Sequence, residues 1–173
     1  MNGPTGRPGA APIHIQVVGQ KAAASHLPAI ADVGGDVFTL PPWREPYLAA
    51  RGVAARLLAD SKRPGFVLAL ALGGEELYGF AYGVRCSRLA RLTCHEPGQD
   101  FTLRELCVLP QRRGLGLGAA LHDAVLARAV PGRCWLTTHT CAAAALGLYR
   151  ARGWRAVALT GSERLIMSRR DIH

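Results

Sequence analysis

The alternation of apolar and polar positions divides the chain into short, clearly punctuated elements. IHIQVV (13–18) is β-branched with period two and predicts a first strand. Residues 21–31 are Ala-rich and predict a helix. Leu48, Val53, Leu57 and Leu58 form an approximate helical stripe in 45–63, which Pro64-Gly65 ends. FVLALAL (66–72) and LYGFAYGV (77–84) flank GGEE and predict a β-hairpin. In its second arm Tyr78, Phe80 and Tyr82 share one face, and small residues occupy the other. Residues 85–100 break the pattern and predict a long loop, basic at Arg85, Arg88 and Arg91.

FTLRELCVL (101–109) is a strand whose alternation places Phe101, Leu103, Glu105, Cys107 and Leu109 on one face, and Pro110 ends it. After a glycine-rich turn, Leu117, Leu121 and Val125 predict a helix running to about Val130. His122 is expected on its exposed face. RCWLTTH (133–139) is a strand, 141–153 a helix, and 154–159 with 164–169 two closing strands around TGSE. The order β-α-α-β-β-β-α-β-α-β-β predicts a mixed α/β domain with antiparallel hairpins over 12–173, preceded by a disordered Gly/Pro-rich tail at 1–11.

Composition changes this picture little. A chain of 173 residues suits one core. The net charge of +9 comes almost entirely from arginine, since only Lys21 and Lys62 are lysines. Codon bias toward Ala, Gly and Arg accounts for that, and so does an anionic partner. Few aromatics and no basic stacking platform argue against nucleic acid. Cysteines 86, 94, 107, 134 and 141 form no C-x-x-C pair, which argues against a disulfide framework and against a metal site. Cys107 and Cys134 are expected to be core thiols. Without a signal peptide or an apolar run of membrane-spanning length, the expectation is a cytoplasmic protein.

The candidate chemistry lies in LPQRRGLGLGAAL (109–121). Glycine inside a helix costs ~1 kcal/mol relative to Ala, so Gly114, Gly116 and Gly118 call for a reason. A strand entering a glycine-rich turn and then a helix makes an anion cradle. Unpaired amides and the helix dipole face the ligand, and no Cβ obstructs a pyrophosphate. Arg112 and Arg113 add charge at its rim. A dinucleotide (NAD) fingerprint needs an acid near the end of the next strand, and RCWLTTH has none. The Gly-Lys-Ser/Thr of a P-loop is absent.

ELCVLPQRRGLGLGAAL resembles the acetyl-CoA motif of the GNAT superfamily of N-acetyltransferases. Two registers fit, Gln111 with Gly114 and Gly116 or Arg113 with Gly116 and Gly118; the family's usual proline spacing selects Arg113. AAAALGLYRARGW resembles a second family motif, through Ala145, Leu148, Tyr149, Gly153 and Trp154. The resemblance implies a mostly antiparallel sheet of about seven strands with about four helices, splayed between 101–109 and 133–139. It implies that Leu106, Cys107 and Val108 hold the pantetheine arm of acetyl-CoA. Arg113, Gly114, Leu115, Gly116, Leu117 and Gly118 would hold the pyrophosphate. It departs from the family at Ala142, where Asn is common; His139-Thr140-Cys141 is the candidate substitute.

Direct transfer to a primary amine of a small molecule or peptide needs a proton acceptor and a proton donor, and no metal. Glu105, the lone carboxylate on an apolar strand face, is the candidate base, and His139 a lesser one. Tyr149 is the candidate acid by its place in the second motif. Two alternatives keep the fold: a transferase of longer acyl groups, and a silent module that binds CoA or a partner. The acceptor is expected between segment 21–60, loop 85–100 and the last hairpin. The loop arginines favour a carboxylate-bearing amine or peptide terminus over a polyamine. Family habit implies a homodimer.

Overall fold

A computed structural model describes residues 11–170. The expected tail lies, apart from Ala11, outside the described residues. The strands are β1 (Ile13–Val18), β2 (Val67–Gly73), β3 (Glu76–Arg85), β4 (Phe101–Val108), β5 (Arg133–His139), β6 (Arg155–Thr160) and β7 (Arg164–Arg170). The helices are α1 (Gln20–Phe38), α2 (Tyr47–Arg51), α3 (Val53–Asp60), α4 (Arg88–Leu92), α5 (Leu117–Leu126) and α6 (Ala143–Ala151).

The seven strands form one sheet in the order β1-β2-β3-β4-β5-β7-β6. Every neighbouring pair is antiparallel except β4 and β5. β1 keeps Ile13, Ile15 and Val17 half-buried with His14 and Gln16 exposed, as an edge strand should. In β2 every residue is buried, and in β3 all but the two terminal ones, so helices must cover both sheet faces there. α5 packs on β1–β4, while α1 packs on β3 and β4 and carries α2 and α3.

Several boundaries differ from the sequence expectation, each for a tertiary reason. α1 continues past residue 31 through Gly34 and Gly35. A Cβ at Gly34 would stand 2.8 Å from the Ala50 carbonyl oxygen and still closer to Val53, so the glycine pair is what lets α1 touch α2 and α3. The helix expected over 45–63 is two short helices joined at Gly52. The expected loop 85–100 begins with the last residue of β3 and contains α4. α5 ends at Leu126, short of Val130.

Two features of β4 position the site. Its pairing with β5 is confined to Phe101↔Cys134 and Thr102↔Trp135, so from Leu103 onward the strands diverge. Against β3 the register passes from Gly83↔Leu103 to Tyr82↔Glu105, leaving Arg104 as a bulged extra residue. The bulge breaks the simple alternation read from sequence. Arg104 and Glu105, consecutive in the chain, both reach α3: Arg104 Nε donates to Asp60 Oδ2 at 3.0 Å, and Arg56 Nη2 lies 3.6 Å from Glu105 Oε1.

Candidate active site

Where β4 leaves β5, two clefts open and share Trp43, Leu106 and Ala145 in their walls. The larger, about 480 Å³, runs from the turn after β4 to the start of α6. Leu106, Cys107 and Val108 line one side, and Ala142–Ala145 with Leu148 the other. Arg112, Arg113, Gly114, Gly116, Leu117 and Gly118 close one end. Leu115 does not line it and its side chain is largely exposed, so only its backbone faces the turn.

The glycines divide by role. Gly114 and Gly116 have φ of +79° and +76°, and a Cβ on either would meet nothing within 4 Å. These positions need glycine for backbone conformation, and the space before them is open. Gly118 lies in the first turn of α5, and a Cβ there would make only ordinary contact, at 3.9 Å, with Leu106 and Leu148. Gly116 precedes α5 as its N-cap and supplies no side-chain cap, leaving the first-turn amides open for an outside acceptor. Arg113 Nε donates to the Val108 carbonyl oxygen at 3.3 Å, and the Arg112 guanidinium lies 4.0 Å over the Tyr78 ring. Open space before the glycines, uncapped amides, two arginines and the free edge of β4 fit a phosphorylated ligand with an extended arm.

The smaller cleft, about 200 Å³, holds Glu105 and Tyr149 together. Burial pushes the Glu105 carboxyl up to about 7, against the opposing pull of Arg56 and then Arg164. Burial, and then the Glu105 carboxylate, also raise the Tyr149 hydroxyl, which therefore stays protonated near neutrality. The same cleft contains Arg56, Arg104, Arg164, Trp43, Thr137 and Thr138, none of them singled out by sequence. Asp60, itself buried, accepts from Tyr82 Oη at 3.2 Å as well as from Arg104. The only advance signal was the i,i+4 spacing of Arg56 and Asp60, which puts both on one face of α3.

One histidine departs from expectation, and the other, the lesser base candidate, is a satisfied strand-end residue. His122 is fully buried, because Trp154 and Tyr149 cover the flank of α5 that looked exposed. Trp154 Nε1 donates to its Nε2 at 2.9 Å, so the neutral ring carries its proton on Nδ1, 2.8 Å from Asp123 Oδ1. His139 lines neither cleft. Its Nδ1 accepts the Cys141 amide at 3.0 Å and fixes the turn into α6, where Ala142 precedes the first helical residue. Neither cleft is lined by residues 85–100. Among the described residues no helix is long and apolar enough to cross a membrane, and no cluster of three or more His, Cys, Asp or Glu could hold a metal.

Solved structures share this architecture. The PaiA N-acetyltransferase from Thermoplasma acidophilum, in complex with coenzyme A, matches with a TM-score of 0.65 at 14% identity, over 92% of this chain and 99% of that one. NAA60 from Arabidopsis thaliana, in complex with a bisubstrate analogue, gives 0.62 at 18%, over 92% and 98%. The ribosomal-protein-S18-alanine N-acetyltransferase from Escherichia coli gives 0.62 at 19%, over 91% and 92%. No curated protein matches the sequence. The family model for the acetyltransferase (GNAT) family matches residues 36–154, which hold β4, the glycine turn, α6, all of the larger cleft and the smaller cleft apart from Arg164. With that match spanning most of its length, the chain belongs to the GNAT family and is an enzyme of the acetyltransferase class.

Proposed function

We propose that the protein transfers acetyl from acetyl-CoA to a primary amine, with the coenzyme in the larger cleft and the amine in the smaller. One observation carries this reading: the two clefts meet where β4 parts from β5, with the phosphate-suited turn in one and Glu105 with Tyr149 in the other.

Each residue then has a chemical task. Backbone groups of Leu106, Cys107 and Val108 bind the pantetheine arm along the free edge of β4. The amides from Arg113 to Gly118 bind the pyrophosphate, with Arg112 and Arg113 beside it. When bound, acetyl-CoA supplies a thioester as acyl donor. Glu105 Oε accepts the proton that the amine sheds; a carboxyl poised near pH 7 serves as a base at neutrality. Tyr149 Oη holds a proton for the departing thiolate. Trp43 and Leu106, common to both clefts, keep water from the junction.

A thiol-release assay over a panel of primary amines tests this. Glu105→Gln should lower kcat by about 10²–10⁴ while leaving CoA binding intact. Coenzyme binding without transfer would favour the silent module instead, and preference for longer acyl-CoA donors would change the donor assignment. A homodimer belongs to the same proposal. β6 is an open sheet edge whose residues are exposed or half-buried, and a dimer mass by light scattering supports pairing there.

A further inference from the structure

The charge of the smaller cleft is unbalanced. Its charged lining residues are Arg56, Arg104, Arg164 and Glu105. Arg104 is satisfied by the buried carboxylate of Asp60 at 3.0 Å. Among the described residues, the one ion pair of Arg56 is a long contact, 3.6 Å, with Glu105. Arg164 makes no ion pair among the described residues and is exposed at the cleft wall. Its backbone is held between Thr160 on β6 and His139 on β5, so the guanidinium is carried by a fixed strand.

A substrate whose only charge is an ammonium meets a cationic wall here, and a polyamine meets it several times. A substrate that also carries an anion offsets that wall. We propose that the acceptor is a small primary amine that also bears a carboxylate, which Arg164, assisted by Arg56, binds while the amine faces Glu105. The proposal rests on the smaller cleft being the acceptor site. A cleft of about 200 Å³ suits a molecule of amino-acid size. Arginine suits the task because its planar fork pairs with both carboxylate oxygens. Thr137 and Thr138 on β5 add hydroxyls to the same wall. The selectivity expected from sequence is thereby moved from Arg85, Arg88 and Arg91 to Arg56 and Arg164.

The test titrates matched pairs into the full-length protein, with and without CoA: glycine, β-alanine and the L-amino acids, each against its carboxamide. Losing a charge-assisted hydrogen bond predicts that the best acid binds about tenfold to a hundredfold more tightly than its amide. Arg164→Gln should bring that ratio close to one, and Arg164→Lys should restore part of it. Thermal unfolding confirms that both variants fold. Amides binding as well as acids, preference for spermidine, or an unchanged ratio in Arg164→Gln would overturn the proposal. So would the absence of binding by every acid. Binding of CoA is read in the same titrations, so failure of the acceptor proposal is separable from failure of the transferase reading.

Discussion

At the level of single residues, two buried titratable groups couple stability to pH with opposite signs. Glu105 titrates at about 7 in the fold and at 4.5 in an unstructured chain. The unfolded state therefore ionises it more easily, and stability falls as pH rises from 4.5 through 7. Glu105→Gln should stabilise the protein above pH 7 by roughly 1–3 kcal/mol while abolishing most activity, which urea unfolding beside the thiol-release assay checks. For the wild type, kcat/KM should climb as pH crosses 7 and Glu105 becomes a base. A profile flat from pH 5 to 9 contradicts the assignment.

His122 works in the opposite sense. Burial lowers it below its ordinary 6.5, so the unfolded state takes up protons first. Stability is whole above 6.5 and declines as pH falls below it. Trp154→Phe removes the donor to Nε2 and leaves a buried acceptor unsatisfied, at a cost of about 1–3 kcal/mol near neutrality. Denaturation at pH 5 and pH 8 measures both effects.

At the scale of elements, the glycines separate two kinds of requirement. Gly34→Ala places a Cβ against Val53 and the Ala50 carbonyl, and should destabilise the α1–α2–α3 unit by about 1–3 kcal/mol without altering coenzyme affinity. Gly118→Ala meets only ordinary contacts in the protein, so it should fold normally, and any loss appears in CoA affinity. Calorimetric titration beside thermal unfolding distinguishes the pair.

What the sequence disclosed follows from locality. The β4–turn–α5 segment and α6 were readable because strand alternation, helical spacing and left-handed glycines are short-range properties. Glu105 stood out as the lone carboxylate on an apolar strand face and Tyr149 by its place in the second family motif, while their meeting in one cleft needs the fold. The bulge at Arg104 was invisible, because it depends on β3. α1 was cut short because Gly34-Gly35 signals a stop until α2 and α3 are laid against it. His122 looked exposed because its cover, Trp154, comes 32 residues later. Trp43, in the turn after α1, Arg56 on α3 and Arg164 on β7 meet only in the folded chain.

At the scale of the whole molecule, the sheet does one decisive thing. It is continuous from β1 to β4 and again from β5 to β6, and it parts at the parallel junction between the two halves. Both clefts open at that divergence, and Glu105, beside the bulge in β4, lines one of them. We propose that this opening receives CoA, with its phosphates on the turn at Gly114–Gly118. The measurement that tests it most directly is calorimetric titration of CoA and acetyl-CoA into the wild type and Gly116→Trp, with circular dichroism to verify that the variant is folded. Saturable binding of one CoA per chain, lost in the folded variant, is the predicted result. No binding to the wild type, or equal binding to both, would contradict it.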